Sequence, residues 1–305
     1  MKPTEFVRQS FRAYRNGPVR VGHSLIRHLL NSMLCKEQEI VLRSGVKMRL
    51  DMTKGNQNGI FWEDGDAEVP LYWAIRELLP PGGTFVDCGA NCGLMGLLAH
   101  QYRLARVIFI EPHPRLAKSI ETNLRLNGLN SCCELIQAAA SDTETEVAFW
   151  ENPENDGSHS IHADWGGEKR SLGKVRCVTL MKELETRGMP TLDFLKIDTE
   201  GNDFAVLKGL GPRLKPACTR VIYMEASRDR ASIFEVMKSQ GYVGFAARKA
   251  RRREMGEWQR RYERGGRASF FKPLEPSQHT QGEVLWCGKD SAVASYLDAL
   301  SATAI

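Results

Sequence analysis

Nowhere do the 305 residues hold a run of the roughly 18 to 20 apolar residues that a membrane-spanning helix needs. The opening Met1-Lys-Pro-Thr-Glu lacks the charged-then-apolar order of a secretory signal. Paired Cys-x-x-Cys spacing is missing among the eight cysteines (35, 88, 92, 132, 133, 177, 218, 287), and adjacent Cys132 and Cys133 make a poor disulfide framework. Reduced thiols in a cytoplasmic protein are the simpler expectation. The dinucleotide fingerprint Gly-x-Gly-x-x-Gly is not met where it would be needed, because the glycines after the first strong strand fall at 89, 93 and 96. That spacing disfavours a pyrophosphate ligand and with it a dehydrogenase. Net charge is absent outside one segment. Arg248 to Arg264 holds eight basic and three acidic residues, an excess that equals the whole formal charge of +5.

What is present centres on residues 83 to 93. Thr84, Phe85 and Val86 form a short buried-strand pattern that ends in Asp87 and breaks at once into Gly89, Asn91 and Gly93, with Leu94 to Ala99 continuing as a helix. A strand, a glycine turn and a helix N-terminus leave bare backbone N–H groups for a ligand. An acidic residue ending the strand suits a ligand with a cationic amino-acid moiety and no phosphate, namely S-adenosyl-L-methionine. The next strand, Val107 to Ile110, ends in Glu111, about 20 residues beyond the turn, where a carboxylate can accept both ribose hydroxyls.

These blocks, with Glu111-Pro112, Asn123, Asn127-Gly128, and Phe194-Leu-Lys-Ile-Asp-Thr-Glu-Gly201 followed by Val206 to Gly209, resemble the FkbM family of S-adenosylmethionine-dependent methyltransferases. The resemblance covers roughly residues 60 to 245 and the strand near 284 to 288. It implies an α/β, Rossmann-like class I methyltransferase fold, a mostly parallel doubly wound sheet with helices on both faces. Cofactor-site residues follow by position: Gly89, Ala90, Asn91 and Gly93 in the turn, Asp87, Glu111 and Pro112, and Ser141 and Asp142 where such enzymes address adenine. Trp62 and Glu63 correspond to an aromatic-Glu pair that precedes the first strand, a wall of the cofactor site or else a packed surface turn.

In chain order, the expectation is an N-terminal extension (1–55), a catalytic domain (56–290) with a basic insertion at 248–282, and a tail (291–305). Val21, Leu25, Leu29 and Leu30 fall at helical spacing in a basic segment, an amphipathic helix that caps the domain or a partner, or rests on a membrane surface. Glu39 to Leu50 alternates as a hairpin. Glu134 to Ala140 reads as one strand, Val147 to Trp150 as another, and 151–173 as a polar loop. Its cluster His159, His162 and Asp164 lacks the spacing of a helical metal motif, so no metal is assigned. A solvated loop is the default, and an acceptor-binding loop through His159 or Ser160 fits the resemblance.

Methyl transfer to a hydroxyl needs positioning and a general base. Asp198 at the end of a buried strand, Glu200 two residues on, His159 and Glu225 are the candidates, with Asp198 also a cofactor contact. Glu200 has a second reading as a helix-capping acid. The acceptor suggested by the resemblance is a sugar hydroxyl of a glycan, glycolipid or natural product. The basic segment with Trp258 and Tyr262 suits an anionic substrate or membrane surface, or a solvated helix. RNA methylation is the weaker alternative, lacking an Asn-Pro-Pro-Tyr-like motif, and a non-catalytic scaffold has no use for the whole constellation.

Overall fold

The alternating segment folds into a hairpin. β1 (Glu37–Val41) and β2 (Lys47–Asp51) pair antiparallel with Ile40 opposite Met48, and Gly45 at φ +90° turns the chain between them. Ile40, Met48 and Leu50 point inward while Glu39, Lys47 and Arg49 face water. The computed structural model describes residues 7–8, 30–31, 34–63, 68–153, 155–165, 167–225, 228–248, 270–274 and 282–301. The N-terminal amphipathic segment lies almost wholly outside the described residues, as does Arg248 to Arg264 beyond Arg248 itself. Among the described residues, no helix is long and apolar enough to cross a membrane.

Strands and helices then alternate: α1 (Gly55–Glu63), α2 (Val69–Leu78), β3 (Thr84–Cys88), α3 (Leu94–Arg103), β4 (Arg106–Ile110), α4 (Pro114–Asn127) and β5 (Cys133–Ile136). Three strands, β6 (Ala139–Ser141), β7 (Glu146–Glu151) and β8 (Arg170–Thr179), make a small separate sheet. After them come α5 (Leu180–Thr186), β9 (Leu192–Ile197), α6 (Asp203–Lys208), β10 (Thr219–Glu225), α7 (Arg230–Ser239), β11 (Tyr242–Ala247), β12 (Phe271–Pro273), β13 (Glu283–Gly288) and α8 (Ala292–Ser301).

The main sheet runs β12-β11-β13-β10-β9-β3-β4-β5. β5, β4, β3, β9 and β10 are parallel neighbours, and β13 is antiparallel to both β10 and β11. Strands covered on both faces need apolar side chains on both. Accordingly Phe85, Phe109 and Phe194 enter one core and Val86, Ile108 and Leu195 the other. From β3 the chain moves outward to β4 and β5, then returns to place β9 on β3's other side. Ligands in such sheets bind at the carboxyl ends of strands beside that reversal, which here is the rim carrying Gly89, Glu111 and Asp198.

One expectation changes, and two further elements emerge. The single strand Glu134 to Ala140 divides, because the Ala138 N–H bonds to the Ile136 carbonyl and bends the chain, leaving β5 in the main sheet and sending β6 to pair with β8. Asn56 to Glu68 contains α1, hidden by weak helix formers such as Gly55, Asn56 and Gly59. The tail helix is packed: Ala294, Leu297 and Leu300 of α8 are buried, and Tyr296 stacks on Trp73, which also meets Phe270 and Phe271.

Candidate cofactor and active site

β3 delivers its last residues to the rim and then reverses through Gly89, at φ +72°, packed against the carbonyl of Asp198. Only a residue without a Cβ fits there. Asn91 (φ 52°) and Gly93 (φ 87°) complete the turn, and Gly93 starts α3. Asp87 lies under this turn rather than on the cleft wall. Fully buried, it accepts from the Gly96 N–H at 3.1 Å and faces the Lys196 ammonium at 3.3 Å. Burial raises its pKa, and Lys196 opposes that rise.

Lys196, on β9, was assigned no role by sequence reading. Its Nζ donates to the Gly89 carbonyl at 2.7 Å and sits 3.3 Å from both Asp87 and Asp198. Burial alone would lower its pKa, but Asp198, Asp87 and Glu68 outweigh it and hold the ammonium above the usual lysine value. A lone lysine in the otherwise apolar run Phe194 to Ile197 was the available signal, since a buried charge requires partners.

Beyond the turn lies an open cleft of about 890 Å³, its mouth included. Glu111, at the end of β4, is buried and accepts from the backbone N–H groups of Asn91 (2.8 Å) and His113 (2.9 Å). Burial pushes its carboxyl up to about 7 against the pull of those two donors. Pro112, Leu116, Ala139, Ala140 and Phe149 extend the wall on this side as an apolar slot. Ser141 and Asp142 stand outside the lining. Asp142 is held low by the ammonium of Lys208 at 2.5 Å. Glu63, at the end of α1, is also off the wall, where α1 presents Asn56 and Ile60 instead.

The other end of the cleft, at β9, is acidic. Glu68, Asp198 and Glu200 line it, while Glu225, at the end of β10, does not. Glu200 adopts φ 53° and accepts from the Trp165 indole N–H at 2.6 Å, its backbone carbonyl taking the Ser160 hydroxyl at 2.7 Å. Burial, then the neighbouring Asp198, pushes Glu200 up to about 7. Burial, then Glu283, takes Glu68 to about 8, and Glu225 is raised by burial and Asp198. Glu200 does not cap α6: its N-cap is Asn202, which makes no side-chain cap hydrogen bond, and the acid in its first turn is Asp203, which takes the Thr199 N–H and hydroxyl.

His159 lines the slot, buried, with its ring 4.4 Å from that of His113. Nδ1 of each accepts a backbone N–H at 3.1 Å, from Asn152 for His159 and from Arg115 for His113. A neutral ring that accepts at Nδ1 carries its proton on Nε2, and burial pushes His159 down to about 3, keeping it neutral. His159 is therefore poorly placed to act as a base. Although His113, Glu151 and His159 bring ligand atoms within 4.8 Å of one another, a metal at Nε2 would need the opposite tautomer in both rings.

Asp156 was also missed. Its carboxylate takes the Asn56 N–H at 2.9 Å and its carbonyl takes the Asn91 amide at 2.9 Å, tying the 152–162 loop to α1 and the glycine turn. Nothing local distinguishes this acid within a polar loop. Cys88 and Cys92 are buried with their thiols pushed up by desolvation, Cys92 to about 12, which suits inert filling.

Acceptors dominate the cleft. Lys196 is its one Lys or Arg among the described lining residues and already meets three oxygens, whereas Asn91 Oδ1 has no partner and Glu111 retains free lone pairs. Such a set fits hydroxyls and a cationic head better than a pyrophosphate. Residues 87–244 match the Methyltransferase FkbM domain. Methyltransferase sdnD of Sordaria araneosa is 24% identical over 194 residues, 54% of this chain and 75% of that protein. Among solved structures, a SAM-dependent methyltransferase from Agrobacterium tumefaciens aligns at TM-score 0.43 and 12% identity, covering 85% of this chain and 71% of that one. TYW2 of M. jannaschii in complex with AdoMet aligns at 0.41 and 12%, covering 83% and 85%. The family assignment rests on the domain match, which spans more than half of the sequence together with the cleft's acceptor-rich chemistry: the chain belongs to the FkbM methyltransferase family, and S-adenosylmethionine is its cofactor.

Proposed function

We propose that the chain is an O-methyltransferase, acting on a hydroxyl of a sugar in a glycan, glycolipid or natural product. The observation that carries this reading is Glu200, a carboxyl pushed up to about 7 in the same cleft as Glu111. When bound, the cofactor supplies an electrophilic methyl carbon. An attacking hydroxyl must shed its proton as the new bond forms, and a base titrating near neutrality does this with least loss. Glu200 takes that role, Asp198 positions the hydroxyl from its contact with Lys196, and Glu111 with the Gly89 turn holds the adenosyl part. Carboxylates at the β9 end, with the Trp165 indole beside Glu200, suit a hydroxyl-rich acceptor. The excess of positive charge in Arg248 to Arg264 favours acceptors that carry phosphate or carboxylate.

The test supplies methyl-labelled S-adenosylmethionine with panels of neutral and anionic glycans, glycolipids and hydroxylated small molecules, and locates the label by mass spectrometry. Label on oxygen is expected. Glu200→Gln should lower transfer by about 10²- to 10⁴-fold while S-adenosylhomocysteine still binds. Label found only on nitrogen or carbon acceptors would overturn the reading.

A further inference from the structure

A second cluster of metal-ligating atoms lies at the opposite rim of the sheet. A ring nitrogen of His100 and the Sγ atoms of Cys132 and Cys133 are all within 4.8 Å of one another. His100 belongs to the last turn of α3, Cys132 is exposed just before β5, and Cys133 opens β5 opposite Val107 of β4. The site is thus on the side where β4 and β5 begin, away from the cofactor rim. We propose that His100, Cys132 and Cys133 form a binding site for a borderline-soft divalent cation of the zinc class, separate from the methyl-transfer site.

The tautomer decides between the two histidine clusters. His100 Nδ1 lies 2.9 Å from the Ala105 carbonyl, which can only accept, so Nδ1 carries the proton and the Nε2 lone pair is left for a metal. Metal-bound histidines are oriented in this way, the distal N–H donating to a carbonyl. His113 and His159 have the reverse arrangement. The backbone that carries the two thiols is also held in place: the N–H groups of Cys132 and Cys133 both bond the Leu129 carbonyl. A tetrahedral ion at Zn–S of about 2.3 Å and Zn–N of about 2.0 Å brings its ligands to roughly 3.5–3.8 Å apart, a closure of about 1 Å from the outer bound seen here. An ordinary disulfide is a poor competitor, since adjacent Cα atoms are about 3.8 Å apart, closer than the usual bridge allows. The C-terminal end of α3 favours a cation, and three protein ligands leave a fourth position for water or another group.

The test titrates the full chain, kept reduced with a phosphine, with Zn²⁺ against a chromophoric chelator, and with Co²⁺ read by thiolate-to-metal charge-transfer absorption. One ion per chain is expected, with the charge-transfer band. Cys132→Ser and His100→Gln should each weaken binding by at least the roughly 10- to 100-fold seen when only an outer-shell partner is lost. Cys35→Ser, another exposed thiol, should leave it unchanged. Both site residues are at least partly exposed, and undiminished S-adenosylhomocysteine binding by the variants shows that the fold survives. Failure to retain Zn²⁺, or stoichiometric binding unaffected by Cys132→Ser and His100→Gln, would overturn the site.

Discussion

A Cβ placed on Gly89 would come within 1.8 Å of the Asp198 carbonyl oxygen, so the glycine turn after β3 and the chain leaving β9 share a contact that no other residue permits. The colliding atom is backbone, with no rotamer to move away, and Gly89 also holds a positive φ. Gly89→Ala therefore adds left-handed strain of about 1–2 kcal/mol to an overpacking cost of about 1–3 kcal/mol. Urea denaturation should show a loss of about 2–5 kcal/mol, and calorimetric titration should show S-adenosylhomocysteine binding abolished even under conditions where the variant is folded. A variant that binds as wild type would contradict the contact.

The Lys196 ammonium holds together three oxygens from two strands, and its removal strands Asp87, which no solvent reaches. Breaking a buried pair on one side costs about 3–5 kcal/mol. Lys196→Met should be destabilised to about that extent near pH 8 and less near pH 5, where Asp87 can take a proton. Adding Asp87→Asn should restore part of the loss by removing the orphaned charge. If Lys196→Met alone unfolds at the wild-type urea midpoint at both pH values, the triad is not stabilising the rim.

How far the site could be read beforehand follows from the same residues. The glycine turn, Glu111 and the Asp198-Thr-Glu-Gly201 segment announce themselves because a strand end, a turn and an acid are local features of consecutive residues, and the parallel order of β3, β4 and β9 follows from their alternation with helices. Lys196 and Asp156 were overlooked because their partners are remote: Lys196 meets Gly89 across 107 positions and Asp156 meets Asn56 across 100. Ser141 and Asp142 were placed on the cofactor wall by position, yet the turn at Ala138 sends that segment into the small sheet and gives Asp142 to Lys208. The tautomer of His159 is set by the Asn152 backbone N–H, which no side-chain spacing reveals.

Glu111 ties cofactor affinity to pH. Its carboxyl is pushed up to about 7 in the free protein, and ribose hydroxyls donate best to its ionised form. Below that value the proton must leave before the ligand is held. Affinity for S-adenosylhomocysteine should therefore rise as pH increases toward 7, by up to about tenfold per unit, and level off above it. Glu111→Gln should bind more weakly and with that slope removed. A wild-type affinity that stays flat from about pH 5.5 to 8, by calorimetry, would show that Glu111 does not titrate with binding.

The Trp165 indole N–H is the hydrogen bond that favours the ionised form of Glu200, opposing burial and Asp198. Phenylalanine at this position keeps an aromatic ring but has no donor. Trp165→Phe should therefore move the Glu200 midpoint upward from about 7, by about one unit. At pH 7 the ionised fraction then falls about fivefold, and methyl transfer that uses Glu200 as base should fall with it, recovering at higher pH. Carboxyl-¹³C NMR of glutamate-labelled protein follows the shift directly, with Glu200→Gln identifying the resonance. A midpoint unchanged or lowered in Trp165→Phe would mean that the indole does not tune this carboxyl, and the rising limb of the rate profile would then belong to another group at the β9 end of the cleft, of which Glu68 is the nearest in character.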